Sequence, residues 1–117
     1  MNKIEAIEKI QHSLDSKEPQ IIPPGGREYK EYVKELTETL FECVIDPIKV
    51  KVVSSCAKDG DLEQFQNSVV WAIARRENDW LLTLDSENEF ALAFGEDSEK
   101  LMMLGFCSPD ALHEWWS

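Results

Sequence analysis

Between residues 69 and 107 the chain carries four short apolar segments, 69–75, 80–84, 89–94 and 101–107, parted by only a few polar residues each. Gaps of that size accommodate tight turns but no crossover helix, so consecutive segments are expected to pair as an antiparallel meander. Alternation within the segments puts Val69, Trp71 and Ile73 on one face, and likewise Trp80, Leu82 and Leu84, and Phe90, Leu92 and Phe94. The alanines Ala72, Ala74, Ala91 and Ala93 fall on the other. A core on the large-residue face is expected, with the small-residue face thinly covered or partly open.

Upstream the period changes from two to 3.6. Ile4, Ile7, Ile10 and Leu14 recur at helical spacing, and Asn2 with Glu5 forms a capping box, so a helix is expected over 3–15. Pro19, Pro23, Pro24, Gly25 and Gly26 make 16–26 a loop. Tyr29, Val33, Leu36, Leu40 and Cys43 then mark an amphipathic helix over 28–43. After Pro47, Ile48, Val50 and Val52 alternate with Lys49 and Lys51, which reads as one half-exposed strand with a basic outer face. A short helical turn is expected at Leu62, Phe65 and Gln66. Ser108-Pro109-Asp110 is a helix start with serine as N-cap, leading into Leu112, Trp115 and Trp116. The sum is one α+β domain over 1–117: two N-terminal helices, an antiparallel sheet of about five strands and a short C-terminal helix.

Charge is unevenly placed. The 117 residues hold 23 acids against 12 bases, a net charge of −11. Residues 1–76 are nearly balanced, with 13 acids and 11 bases, whereas 77–117 have 10 acids and Lys100 as their one base. Such a surface repels phosphate backbones and anionic headgroups, so neither nucleic acid nor membrane is an expected partner. No uncharged run approaches the roughly 20 apolar residues that span a bilayer. Acids near the N-terminus argue against a signal peptide, and three scattered cysteines, Cys43, Cys56 and Cys107, fit reduced thiols, so a cytoplasmic location is expected.

Chemistry-bearing patterns are few. His12 and His113 are the two imidazoles; His12 lies on a polar flank of the first helix and His113 near the last turn of the terminal one, and a structural role is expected for each. No cysteine or histidine pair has zinc-ligand spacing. Pro24-Gly25-Gly26-Arg27 lacks the strand and lysine of a phosphate-binding loop. Asp85, Glu87, Glu89 and Glu96 match four positions of a calcium loop, but Phe90 stands where glycine makes the turn, and Asp59, Asp61 and Glu63 lack the final acid. The expectation is therefore a protein that is not an enzyme, with no catalytic residue, no metal and no cofactor.

Leu62-Glu-Gln-Phe65, Val70-Trp71-Ala72-Ile73, Trp80-Leu-Leu-Thr-Leu84 and Leu104-Gly-Phe106-Cys-Ser-Pro109 with Ala111 together resemble a small bacterial domain family of unknown function. The resemblance covers 62–117 and departs from the family at Phe106, where a tryptophan is usual. It implies a cytosolic bacterial α+β domain and supplies no functional residue. In type, a small acidic α+β protein of this kind is similar to bacterial toxin-immunity proteins.

In a meander the first and third turns lie at one end, which gathers Glu77, Asp79, Glu96, Asp97 and Glu99. Asp85, Glu87 and Glu89 go to the other. Trp115 and Trp116 point about 100° apart, so one packs while Trp116 is left as an interface anchor. The expected function is non-enzymatic binding of a basic partner protein, such as a toxin, through Glu77, Asp79, Glu96, Asp97, Glu99 and Trp116. The alternative is a small-molecule-binding or regulatory module with its pocket between the alanine face and the helices. Oligomeric state is not specified by any of these features.

Overall fold

The computed structural model describes residues 1–58 and 60–116; Ser117 and Asp59, the first of the Asp59, Asp61 and Glu63 triplet, lie outside that description. Helix α1 (Lys3–Ser16) starts as expected: Asn2 Oδ1 accepts from the Glu5 N–H at 2.9 Å, and Glu5 Oε1 accepts from the Asn2 N–H at 3.0 Å. Its buried stripe differs from the isoleucine pattern. Ala6, Ile10 and Ser13 face inward, while Ile4, about 120° round the helix from Ile10, is 69% exposed. Small residues win this face because they allow close approach to the helix α4 (Ala111–Trp115). There Ser13 Oγ donates to the Pro109 carbonyl at 2.6 Å and accepts from the Ala111 N–H at 2.9 Å.

Helix α2 (Tyr29–Glu42) buries Leu36 and Leu40. The loop before it is tied at both sides: Tyr29 donates its hydroxyl to the Pro19 carbonyl at 2.6 Å, and Asp110 Oδ2 accepts from the Gln20 N–H at 2.8 Å. Asp110 is also the true cap of α4, accepting from the His113 N–H. Ser108 is therefore not the N-cap. Its backbone is recruited to pair with Phe90, and its hydroxyl bonds the Asp110 N–H and Glu114 instead.

The sheet has six strands, β1 (Val44–Lys49), β2 (Val52–Ser55), β3 (Val70–Arg76), β4 (Asp79–Leu84), β5 (Phe90–Phe94) and β6 (Leu101–Met103), in the order β1-β3-β4-β5-β6-β2. The meander β3 to β6 is antiparallel as expected. The single basic strand after Pro47 is not: it divides, β1 pairing with β3 and β2 with β6. Only Val50 and Lys51 separate these opposite edges, so the sheet must curl until it closes on itself. Backbone bonds seal the seam, from Val50 N to the Val70 carbonyl, Lys51 N to the Ser98 carbonyl and Leu101 N to the Lys51 carbonyl. Closing five runs of chain in alternating directions leaves one pair that must run parallel, which is the β2–β6 pair.

Closure overturns the expected facing. Trp80 stands opposite Ala93, Leu82 opposite Ala91 and Ala72, and Leu84 opposite Val70. The large residues of β4 thus point into the curled sheet against the alanines of its neighbours, and Trp80, Leu82, Ala72, Ala91 and Ala93 form one core with Val50, Val52, Phe65, Leu101 and Met103. Large against small is what a narrow interior demands. The alanine face, expected to be thinly covered or partly open, is fully buried. On the outer face Ile73, Leu81, Phe90 and Leu92 pack under α1, α2 and α4, a second core containing Ile10, Leu40, Leu112 and Trp115. A bulge between Ala72 and Ala74 turns Ala74 to this side. The turn expected at 62–66 is helix α3 (Leu62–Gln66), whose Phe65 plugs the curled sheet. Among the described residues no helix is long and apolar enough to cross a membrane.

Candidate functional site

Two turns build one acidic end. Glu77 and Asn78 link β3 to β4, residues 95–100 link β5 to β6, and the Gly95 N–H donates to the Asn78 carbonyl at 2.9 Å, locking the turns side by side. Glu77, Asp79, Glu96, Asp97 and Glu99 are all exposed there. Trp80 anchors the pair from within, its Nε1 donating to the Gly95 carbonyl at 2.8 Å. The five do not behave alike. Glu99 approaches Lys51 at 3.6 Å, whereas Glu77, Asp79, Glu96 and Asp97 form no ion pair among the described residues. The Arg75 guanidinium lies 4.1 Å from the Trp80 ring centroid and donates through Nε to the Glu77 carbonyl, so its charge is held at the turn.

Trp116 joins this end through Arg76, whose guanidinium lies 4.8 Å from the Trp116 ring and 5.4 Å from that of Trp115. Trp115 is buried and Trp116 half-buried, the division expected from their 100° separation. Arg76 stands next to Glu77 and opposite Asp79, which brings the indole beside the first acidic turn.

One feature of this region escaped the sequence reading. Met102, Leu104 and Phe106 alternate with the buried Leu101 and Met103 and stay exposed, Phe106 at 60%. Met102 pairs with the half-buried Phe94, next to Glu96 and Asp97. An apolar stripe therefore runs away from the acidic turns. Its signal was the run Leu101-Met-Met-Leu-Gly-Phe106, which is apolar at both parities and so leaves one apolar face outside whatever the strand buries.

The remaining acids go elsewhere. Asp85 accepts from Trp71 Nε1 at 2.9 Å, and Lys9 Nζ donates to the Leu84 and Glu87 carbonyls. The resemblance to a calcium loop dissolves, because Phe90 begins β5. Arg27, which ends the Pro24-Gly25-Gly26-Arg27 segment, pairs with Glu35 and lies 5.1 Å from the Tyr32 ring centroid. No group of three His, Cys, Asp or Glu side chains that could hold a metal ion occurs among the described residues.

Two titrations give checks. Burial, with Asp61 and Glu89 adding to it, pushes the Cys107 thiol up to about 12, whereas Cys56 is exposed. Iodoacetamide near pH 8 should therefore label Cys56 readily and leave Cys107 untouched, read by peptide mass spectrometry. Burial also raises the Glu114 carboxyl above its ordinary value. A raised carboxyl contributes stability below its unfolded value, and that contribution is lost as pH rises through the folded one. Glu114→Gln should flatten the fall in stability above about pH 4.3 and gain under about 1 kcal/mol at neutral pH. Thermal melts across pH read this.

No known protein family matches the chain, and neither a curated protein nor a solved structure matches it.

Proposed function

We propose that this chain is a non-enzymatic binding domain that docks a basic partner protein, in the manner of an immunity or inhibitor protein. The observation that carries the reading is the acidic end: Glu77, Asp79, Glu96 and Asp97 share one exposed surface without ion pairs among the described residues, bordered by Trp116 and by the stripe of Met102, Leu104 and Phe106. Clustered carboxylates cost folding stability through mutual repulsion, and an opposite charge on a partner relieves that cost while speeding encounter. The adjoining apolar groups supply what charge alone does not, since desolvated aromatic contacts carry most interface energy.

Placement, not total charge, is the testable content. Reversing Glu77, Asp79, Glu96 and Asp97 to lysine is compared with reversing four exposed acids on the helices, Glu8, Glu31, Glu38 and Glu42, which changes net charge equally. Basic proteins captured from lysate by the parent chain at low salt and released at high salt should be lost with the first variant and kept with the second. Equal capture by both variants overturns the reading.

A further inference from the structure

The seam where the sheet closes leaves a groove of about 440 Å³, floored by Val50, Val52, Phe65 and Val70 and rimmed by Lys49 and Lys51, with Glu99 across from them. We propose that this groove binds a single-chain amphiphilic anion, a fatty-acid-like carboxylate, with its chain along the valines and Phe65 and its head on the two lysines. The groove lies at the seam because β2 leaves β1 to join β6, so β2 and the start of β3 diverge, with α3 packed against β2. Its volume falls in the range of small-ligand sites, about 300–1,000 Å³.

Charge selects the occupant. In a chain of net −11, the groove is bordered by two cations and one carboxylate. Neither lysine is fully engaged: Lys51 meets Glu99 at 3.6 Å with both side chains mostly exposed, and Lys49 Nζ lies 5.6 Å from the centroid of the Trp71 ring. An incoming carboxylate would take the place of Glu99 on Lys51. An apolar chain with a neutral or cationic head lacks that contact, and a bare carboxylate lacks the floor. Glu77, Asp79, Glu96 and Asp97 do not line the groove, which meets their end of the sheet at Glu99, so decanoate binding is read separately from capture of a basic partner.

Calorimetric titration of the whole chain with octanoate, decanoate and dodecanoate, each below its micelle concentration, tests it. Affinity should rise with length, by at most about fourfold per methylene buried. Decyltrimethylammonium, with the same tail as decanoate and the opposite head, should bind at least tenfold more weakly. The double variant Lys49→Gln/Lys51→Gln should lose tenfold for decanoate, and Glu99→Gln, which frees Lys51, should bind it more tightly. Because loss can follow misfolding, the gain in Glu99→Gln, with an unchanged circular-dichroism spectrum, is the decisive arm. The proposal is overturned by absence of saturable decanoate binding, by equal binding of the cationic amphiphile, by no change in the lysine variant, or by co-sedimentation with anionic phosphatidylglycerol vesicles without binding of free decanoate.

Discussion

Phe65→Ala is expected to remove about 3–5 kcal/mol of stability, the range for truncating a buried aromatic. A domain of this kind holds only about 5–15 kcal/mol in all, so the variant should melt at much lower urea with a similar slope. The reason lies in how α3 is attached. Its five residues are too few to be helical alone, and Phe65, 2% exposed, is its one buried side chain. That ring fills the curled sheet beside Val52, Val70 and Leu84. Gln66 adds only one bond to the Val52 carbonyl, at 3.3 Å. Phe106→Ala, on the exposed stripe, should change stability by less than about 0.5 kcal/mol. Equal effects of the two substitutions would contradict the closed sheet.

Replacing Gly105 with alanine should cost about 2–4 kcal/mol, because two independent penalties coincide. Its φ of 142° is one that residues with a Cβ rarely adopt. A Cβ there would also stand 2.4 Å from the Ala57 side chain. The crowding is structural: the Gly105 carbonyl accepts from the Asp61 N–H at 2.6 Å, and Asp61 in turn accepts from the Cys107 N–H at 2.8 Å, so the chain after β6 is clasped against the segment leading to α3. Gly25→Ala separates the two penalties, since Gly25 has φ 57° but nothing within 4 Å of an added Cβ. It should cost only about 1–2 kcal/mol. Chemical denaturation of both variants reads the difference. A Gly105→Ala variant no less stable than Gly25→Ala would show that the clasp is loose.

Some of this fold was legible residue by residue. Asn2 and Glu5 define the start of α1 because the capping box is closed within four residues. The strands β3 to β6 and their turns follow from alternation and short gaps, and the gathering of Glu77, Asp79, Glu96 and Asp97 follows from the meander by geometry alone. The interface reading of these acids and of Trp116 is a proposal built on that placement.

What failed was every statement that depended on which surface closes over which. The run after Pro47, with Ile48, Val50 and Val52 alternating with lysines, reads as one strand, yet it serves two opposite edges, since a local pattern of alternation does not say which neighbour each half meets. Size alone groups Trp80, Leu82 and Leu84 with Phe90 and Leu92, but register sets Trp80 against Ala93. A residue's face relative to its own strand is fixed by the period of two, while the relative shift of two strands is fixed by packing. Ile4 and Ile7 show the same limit on α1, where the small Ala6 and Ser13 took the buried side.

The sequence by itself determined the helices, the four-stranded meander and the end at which the acids collect, because caps, periodicity and turn lengths act over a few residues. Only the tertiary structure decided that the sheet closes, that its alanines face inward, that Glu99 turns to Lys51 and that a groove opens at the seam. These follow from volume and hydrogen bonding between segments up to about half the chain apart, a competition that no local pattern contains.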